Sequence, residues 1–213
     1  MAFQTIWTFS GLPEKVINIV EEDLRDKFDQ EVKDSLIANG ERNTSKRSSK
    51  NAWISTDHWV AGFVWNYVNK CNRTNFCYDL DGVDGETLQY TIYEEGDFYG
   101  WHEDQGISGY FTNTSVLSSD KSDPKMLGNN KEVYLDMKVE KIRKLSFVVQ
   151  LSDPDDYEGG NLQLMDEGDK TYFAPREKGT IIIFDSRTKH RVTKVKKGIR
   201  KSIVGWVSGP RWR

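Results

Sequence analysis

The chain of 213 residues contains only three histidines, and two of them are candidate metal ligands. His102 lies in the segment Y-G-W-H-E-D, at the predicted end of a strand, and Asp104 follows two positions later. Residues two apart on a strand project from the same face, which would direct an imidazole and a carboxylate to one point. His190 begins another predicted strand, and a neighbouring place in a barrel would bring it to that point. Two imidazoles and one carboxylate suit Fe(II) and leave coordination positions open.

A positive charge follows the second candidate histidine at a fixed spacing. Arg200 stands ten residues after His190. If the two lie on adjacent barrel strands, the guanidinium enters the pocket near the metal, where its fork matches a carboxylate and cannot lose its charge. That arrangement suits a dicarboxylate that chelates the metal at one end. The alternative is that Arg200 belongs to a solvated basic run, K-V-K-K-G-I-R-K.

Roughly the last three-fifths of the chain, from Glu86 onward, resembles a known family. The chain is similar to Fe(II)- and 2-oxoglutarate-dependent dioxygenases of the prolyl 4-hydroxylase type, including the PKHD-type hydroxylases of bacteria and phages. The order and spacing of six segments carry the resemblance: E-T-L-Q-Y-T-I-Y (Glu86–Tyr93), Y-G-W-H-E-D (Tyr99–Asp104), R-K-L-S-F-V-V-Q-L-S (Arg143–Ser152), E-G-G-N-L-Q-L (Glu158–Leu164), K-G-T-I-I-I-F (Lys178–Phe184) and H-R-V-T-K-V-K-K-G-I-R-K-S-I-V-G-W (His190–Trp206).

The resemblance implies a role for each matching residue. His102, Asp104 and His190 match the iron ligands of the family, and with Arg200 they form the implied catalytic set. Arg200 and Tyr93 match residues that bind the far carboxylate of 2-oxoglutarate. The implied reaction uses O₂ and couples hydroxylation to decarboxylation of 2-oxoglutarate to succinate, with ascorbate as a reductant. An aspartate at position 104 argues against the halogenating relatives, in which a small residue leaves room for a halide.

Four further positions match residues on the substrate side of related prolyl hydroxylases: Glu86, Tyr99, Arg143 and Trp206. The implied substrate is a prolyl residue in a peptide or protein. Alternatives are another amino acid, a nucleic-acid base, a metal-binding jelly roll without turnover, or a zinc hydrolase. A basic C-terminal stretch, Lys189 to Arg213, would favour nucleic acid, but the formal net charge of -3 argues against it.

Two amphipathic helices are predicted before residue 80. Leu12 to about Asp29 has apolar residues at spacings of three and four, with Pro13 suited to a first turn. Thr56 or Asp57 is the predicted N-cap of the second helix, which carries an aromatic face. Between them, residues 39–51 are polar and predict a loop.

After Asp81 short β-branched and aromatic runs predict nine strands: Thr87–Tyr93, Phe98–His102, Val133–Met137, Leu145–Leu151, Asn161–Leu164, Thr171–Ala174, Thr180–Phe184, His190–Val195 and Ser202–Val207. The predicted fold is mainly β with N-terminal helices. A double-stranded β-helix (jelly roll) over residues 81–213 is buttressed by two or more helices within residues 1–80, in one domain of residues 1–213. The Ser/Asn/Gly-rich stretch Gln105–Lys131 predicts a mobile loop over the metal, and Gly159 and Gly160 predict a tight turn or bulge.

Composition bears on location. Cys71 and Cys77 form no metal-binding or disulfide pattern, so they are interpreted as free thiols in a reducing compartment. No apolar run approaches about 18 residues, and the N-terminus has no basic segment before a long apolar stretch. We therefore expect no membrane association and a cytoplasmic location, in a bacterium or in the host cell of a phage. The sequence leaves the oligomeric state open.

Overall fold

The computed structural model describes residues 6–35, 44–82, 88–112 and 138–212, with only the backbone described for 107–112 and 138–140. Helix α1 covers Glu14–Phe28 and helix α2 covers Trp59–Cys71, which a π-helical turn, Asn72–Phe76, follows. The strands within these residues are β1 (Ile6–Phe9), β2 (Lys33–Asp34), β3 (Arg47–Ser48), β4 (Lys50–Ile54), β5 (Leu88–Tyr93), β6 (Phe98–His102), β7 (Ile107–Thr112), β8 (Lys138–Gln150), β9 (Tyr157–Gly159), β10 (Leu162–Met165), β11 (Thr171–Phe173), β12 (Ile181–Asp185), β13 (His190–Val192), β14 (Val195–Gly198) and β15 (Arg200–Pro210).

The strands form two main antiparallel sheets. The major sheet has the order β1-β12-β8-β15-β5-β4-β2, with β7 also paired to β8. The minor sheet has the order β11-β10-β13-β6-β3, and β9 and β14 form a separate ribbon. Each sheet interleaves strands that are far apart in sequence, as a jelly roll does. The predicted jelly-roll fold is confirmed.

Alternation along β8 decides which residues face the helices and which face the second sheet. Leu145, Phe147 and Val149 are buried in one cluster with residues of α1 and α2. Val148 is instead buried in a cluster with Leu162 of the minor sheet. Successive side chains of a strand point to opposite faces. Positions 146, 148 and 150 therefore face the space between the two sheets, where the site lies.

The helix boundaries differ slightly from those predicted. Helix α1 begins at Glu14, with Pro13 at its N-cap, so Leu12 lies before the helix. The predicted N-cap residues of α2, Thr56 and Asp57, do not cap the helix. The N-cap is His58, whose side chain accepts a hydrogen bond from the backbone N–H of Val60. An imidazole nitrogen can serve as this acceptor in place of a hydroxyl or carboxylate oxygen.

The first eighty residues contain the two predicted helices and, in addition, strands that were not predicted. Within residues 6–35 and 44–80 there are four strands, β1 to β4. Strand β1 extends the major sheet beside β12, β4 pairs with β5, and β2 pairs with β4. Strand β3 pairs with β6 in the minor sheet. Part of the predicted loop 39–51 is therefore strand. Strands β2, β3 and β4 also contribute residues to the wall of the site.

The predicted mobile loop Gln105–Lys131 is only partly described. Residues 107–112 form β7 and pair with β8, so this part is a strand rather than a loop. Residues 113–137, which include the predicted strand Val133–Met137, lie outside the described residues. The predicted strand His190–Val195 divides into β13 and β14. No helix in the described ranges is long and apolar enough to cross a membrane.

Candidate metal centre

The two candidate histidines lie side by side on adjacent strands of the minor sheet. His190 opens β13 and is paired in register with His102, the last residue of β6. Their ring centroids are 4.1 Å apart. Asp104 lies beside them. His190 and Asp104 are both more than nine-tenths buried. One ligand atom from each of the three residues lies within 4.8 Å of the others, which is a spacing that a single metal ion can bridge.

Backbone carbonyls fix the proton positions of both imidazoles. The Nδ1 atom of His102 lies 2.8 Å from the carbonyl oxygen of Gly100, and that of His190 lies 2.9 Å from the carbonyl oxygen of Thr188. A carbonyl oxygen can only accept, so each Nδ1 carries the proton. Each Nε2 then has a free lone pair, and both Nε2 atoms face Asp104, at 3.5 Å and 3.4 Å from its two oxygens. Such carbonyl partners orient metal-binding imidazoles.

Asp104 is positioned by a neighbouring chain segment rather than by strand geometry. Strand β6 ends at His102, so the predicted same-face projection along one strand does not apply to Asp104. Its backbone N–H instead donates to the carbonyl oxygen of Ser186, at 2.9 Å. Ser186 follows β12, and β12 pairs with β8 of the major sheet. The carboxylate therefore reaches the centre from the edge between the two sheets.

The three candidate ligands set one another's protonation. Burial alone would raise the carboxyl pKa of Asp104, but the imidazoles of His190 and His102 outweigh it and hold that pKa well below 3.8. Burial works to lower the pKa of His190, and the Asp104 carboxylate reverses this and raises it. For His102 burial prevails and its pKa is lowered. The carboxyl group of Asp104 is thus ionised, as a carboxyl group must be to bind a metal ion.

A chain of two buried hydroxyl groups holds the carboxylate of Asp104. The Ser146 hydroxyl donates to Oδ2 of Asp104 at 2.8 Å. The Ser186 hydroxyl lies 3.0 Å from the Ser146 oxygen. Because the Ser146 proton is directed to the carboxylate, Ser186 is the donor of the second bond. This chain fixes the carboxylate rotation, and neither serine was singled out from the sequence.

We expect Ser146→Ala to weaken Fe(II) binding by about 10- to 100-fold, the range typical of partners that orient metal ligands. An anaerobic titration of the protein with Fe(II) measures this. Ser152→Ala is the matched control, because its buried hydroxyl donates to the carbonyl oxygen of Ile199 and not to a candidate ligand. Equal Fe(II) affinities in the two variants would contradict the role of Ser146.

Arg200 enters the same space from the opposite sheet. It begins β15 of the major sheet, so it is not on a strand adjacent to that of His190, as the sequence had suggested. It is paired in register with Tyr93 of β5, and its guanidinium carbon lies 5.5 Å from the Tyr93 ring centroid. Arg200 is 1% exposed, which excludes the alternative of a solvated basic run. Its Nη2 donates to Oε1 of Gln150 at 2.9 Å.

The surroundings of Arg200 contain polar atoms without partners. Nε of Arg200 and the hydroxyls of Thr91 and Ser202 are buried and make no hydrogen bond. Among the described residues no carboxylate forms an ion pair with Arg200. Register pairs Ser202 with both Thr91 and Gln150. A buried charge and unpartnered hydroxyls are costly unless a ligand satisfies them, so this end of the site is suited to an anion.

A cavity of about 940 Å³ connects these groups. The candidate ligands, Tyr93 and Arg200 line it, as do three of the four residues predicted on the substrate side: Tyr99, Arg143 and Trp206. The fourth, Glu86, lies outside the described residues. The lining supports one continuous site that runs from Arg200 past the metal centre to the surface.

Two stacked pairs flank the metal centre. The Tyr99 ring is stacked on the His102 ring, with centroids 3.6 Å apart, and the guanidinium carbon of Arg47 lies 4.7 Å from the centroid of the Tyr99 ring. On the other flank, Arg143 lies 4.0 Å over the Trp206 ring. Arg143 also donates to the carbonyl oxygen of Asp104 at 3.3 Å. Arg47 was not predicted, because it lies in a polar stretch that resembles a loop.

A sequence model of the 2OG-Fe(II) oxygenase superfamily matches residues 88–208. A PKHD-type hydroxylase of Rippkaea orientalis is 31% identical over 122 residues, which cover 57% of this chain and 42% of that protein. The chain thus spans less than half the length of the curated relatives that it matches.

Solved structures of prolyl hydroxylases have the same fold. A Pseudomonas putida prolyl-4-hydroxylase superposes with a TM-score of 0.66 at 15% identity, over 99% of this chain and 95% of that one. A Trichoplax adhaerens prolyl hydroxylase in complex with a peptide of hypoxia inducible factor gives a TM-score of 0.68 at 16% identity, over 95% of this chain and 83% of that one. At these identities the likeness is one of fold.

Proposed function

Because the chain belongs to the 2OG-Fe(II) oxygenase superfamily, we propose that it is a dioxygenase that hydroxylates a prolyl residue in a peptide or protein while 2-oxoglutarate is converted to succinate. The observation that carries the proposal is the buried Arg200, which has no carboxylate partner among the described residues and shares a cavity with His102, Asp104 and His190.

The donor set fits Fe(II). Two neutral Nε2 atoms and one carboxylate converge, and the set leaves coordination positions for other ligands. Bound iron would supply the oxidative chemistry, with 2-oxoglutarate and O₂ as co-reactants. In this proposal His102, Asp104 and His190 hold the metal. Carbonyl partners and Ser146 keep the three side chains in their orientations.

The far end of the cavity fits the second carboxylate of 2-oxoglutarate. Arg200 offers the unpartnered Nε, and the nearby hydroxyls of Thr91 and Ser202 are unpartnered as well. Tyr93 lines the cavity beside Arg200 and contributes its phenol group. A guanidinium and hydroxyl donors match a carboxylate in charge and geometry. In this proposal Arg200 and Tyr93 therefore set the direction in which 2-oxoglutarate lies.

The substrate side is proposed at the open end of the cavity. Trp206 is 8% exposed and its Nε1 has no hydrogen-bond partner, although the residue lines the cavity. An indole N–H in that position is a donor for a substrate carbonyl group. Arg143, stacked on Trp206, and Tyr99, stacked on His102, form the adjoining walls. Glu86 stays a prediction.

A polymeric substrate is favoured over a free amino acid by the size of the cavity. Its volume of about 940 Å³ is near the top of the usual range of roughly 300–1,000 Å³ for ligand pockets. That space exceeds what 2-oxoglutarate and one amino acid together occupy. The Trichoplax adhaerens structure of the same fold is in complex with a peptide, which supports a peptide here.

The buried Arg200 distinguishes an oxygenase from the two alternatives that are not oxygenases, but it does not distinguish between substrates of an oxygenase. A nucleic-acid base or another amino acid as substrate would keep the same chemistry. A metal-binding module without turnover, or a zinc hydrolase, has no use for a buried guanidinium that awaits a carboxylate. Ascorbate as reductant and a cytoplasmic location stay predictions of the family resemblance and of the composition.

The test is to measure succinate formed from 2-oxoglutarate and to search peptide products for an added 16 Da by mass spectrometry. We expect succinate only when Fe(II) and O₂ are both present, and we expect the added oxygen on proline. Release of succinate that is independent of Fe(II) would contradict the oxygenase assignment. Oxidation of oligonucleotides in place of peptides would contradict the proposal that the substrate is a prolyl residue.

A further inference from the structure

The cavity continues beyond the part that the metal and 2-oxoglutarate would use. It passes Tyr93 and crosses β5 and β4, where Gln89, Asn51 and Trp53 line it, and Arg47 of β3 lines it from the minor sheet. We call this part, defined by those four residues, the outer arm. Neighbouring strands are about 4.8 Å apart. The outer arm therefore widens the site by two strands on the side away from Arg200.

The direction of one hydrogen-bond chain in the outer arm is fixed by Arg47. A guanidinium can only donate. Nε of Arg47 donates to the Ser49 oxygen at 2.9 Å, so the Ser49 proton is free to donate to Ser35, also at 2.9 Å. Ser35 then donates to Oδ1 of Asn51 at 2.6 Å. The carbonyl oxygen of Asn51 is thereby used within the protein, and its NH₂ group is not.

Gln89 has the same arrangement. Nη2 of Arg47 donates to Oε1 of Gln89 at 3.3 Å, which again leaves the NH₂ end of the carboxamide. In the described part of the chain, neither the NH₂ group of Asn51 nor that of Gln89 has an acceptor. The two residues are only 8% and 5% exposed, yet both line the cavity. The two NH₂ groups therefore remain available to a ligand in the cavity that offers hydrogen-bond acceptors.

The spacing of the two donors suits an extended main chain. Gln89 is paired in register with Trp53, and Asn51 is paired with Thr91, so Asn51 and Gln89 are diagonal neighbours on one face. Such neighbours are about 7–8 Å apart at Cα and somewhat closer at their side chains. Alternate residues of an extended chain repeat at about 6.6–6.8 Å. Two carbonyl groups on one side of an extended polypeptide would therefore match the two donors.

The remaining residues of the outer arm favour a polypeptide over a polyphosphate. Trp53 is 51% exposed at the rim and offers an apolar surface to a side chain. Among the exposed residues that line the rim, three are acidic, Glu31, Asp34 and Glu103, and one is basic, Lys33. The uncharged amide donors suit neutral carbonyl groups, and the acidic side chains at the rim disfavour phosphates.

We propose that Asn51 and Gln89 bind main-chain carbonyl groups of the substrate polypeptide, on one flank of the residue that is presented to the metal. The inference rests on the proposed function. It assigns the two carboxamides a role in holding the substrate, and it assigns Arg47 a positioning role through the hydrogen bonds that orient them.

The test uses Asn51→Asp and Gln89→Glu, which keep the oxygen atoms that accept from Ser35 and Arg47, remove the donors and add a negative charge that the control variant also adds. The probes are end-blocked nine-residue peptides of random sequence around a central proline, and the corresponding three-residue peptides. For the nine-residue peptides we expect each variant to raise KM about tenfold, equivalent to about 1.4 kcal/mol, with a smaller change in kcat. For the three-residue peptides, which do not reach the outer arm, we expect wild type and variants to have similar KM values.

Gln163→Glu is the matched control. Gln163 is also a buried glutamine whose Oε1 accepts from an arginine, Arg191, but it does not line the cavity. We expect its KM for both peptide lengths to equal that of wild type. A wild type that oxidises peptides while the Asn51 and Gln89 variants leave the long-peptide KM unchanged would overturn this inference alone. A wild type that binds Fe(II) and 2-oxoglutarate yet oxidises no peptide would overturn the proposed function and this inference with it.

Discussion

Asp104→Ala and His190→Ala should each abolish turnover and reduce Fe(II) affinity by at least two orders of magnitude. Each change removes one of three ligand atoms that lie within 4.8 Å of one another. Breaking a buried charged set costs about 3–5 kcal/mol, which corresponds to roughly two to nearly four orders of magnitude in binding. Anaerobic Fe(II) titration and succinate formation measure the two effects.

His58→Ala is the control for loss of a histidine. His58 caps α2 through the backbone N–H of Val60 and contacts Asp23 at 3.2 Å, away from the metal centre. We expect this variant to lose some stability and to bind Fe(II) as wild type does. If His190→Ala bound Fe(II) and turned over like wild type, the assignment of the metal centre would be wrong.

Arg200→Ala should raise the KM for 2-oxoglutarate about thirty- to several-thousand-fold and leave Fe(II) affinity nearly unchanged. The loss of one partner of a desolvated charge pair costs about 2–5 kcal/mol. Arg200→Lys should keep part of the affinity, because an ammonium group offers the charge without the fork. Tyr93→Phe should cost less, about 1.5–3 kcal/mol, since it removes one hydrogen bond to a charged group.

A titration of 2-oxoglutarate at saturating Fe(II) compares these variants directly. Arg191→Ala is a useful control, since Arg191 bonds to Gln163 and lies over Trp101 outside the cavity lining. An unaltered dependence on 2-oxoglutarate in Arg200→Ala would overturn the cosubstrate assignment even if the metal ligands were correct.

The jelly roll was predictable because its strands carry a simple signal. Short runs are rich in aromatic residues, as in Phe98–His102, or in β-branched residues, and the structure has a strand with the bounds Phe98–His102. The convergence of His102, Asp104 and His190 was predictable because the chain has few histidines and because the ordered segments resemble one family. The detailed reasons were less accurate: Asp104 lies beyond β6, and Arg200 lies on the opposite sheet from His190.

The strands that the sequence analysis missed consist mostly of polar residues. Strands β3 and β4 were missed in part because Arg47, Ser49 and Asn51 direct polar side chains inward, where they bond to one another. A strand with that interior has no hydrophobic alternation to detect. The first half of β8 was missed for a related reason, since K-V-E-K-I-R-K is dominated by charged residues. Ser146 gave no signal beyond its place in a strand.

The bracing of His102 by β3 bears on how much of the chain a working fragment must contain. The N–H of Gly100 donates to the carbonyl oxygen of Lys46, and the carbonyl oxygen of Gly100 holds Nδ1 of His102. The region matched by the family begins only at residue 88. A fragment cut at that boundary would contain all the proposed ligands, yet it would lack the partner of Gly100, the guanidinium over Tyr99 and the helices over the major sheet. The recognisable part of the sequence is therefore shorter than the part that contacts the proposed centre, and we expect the smallest fragment that keeps His102 in this geometry to begin before Lys46.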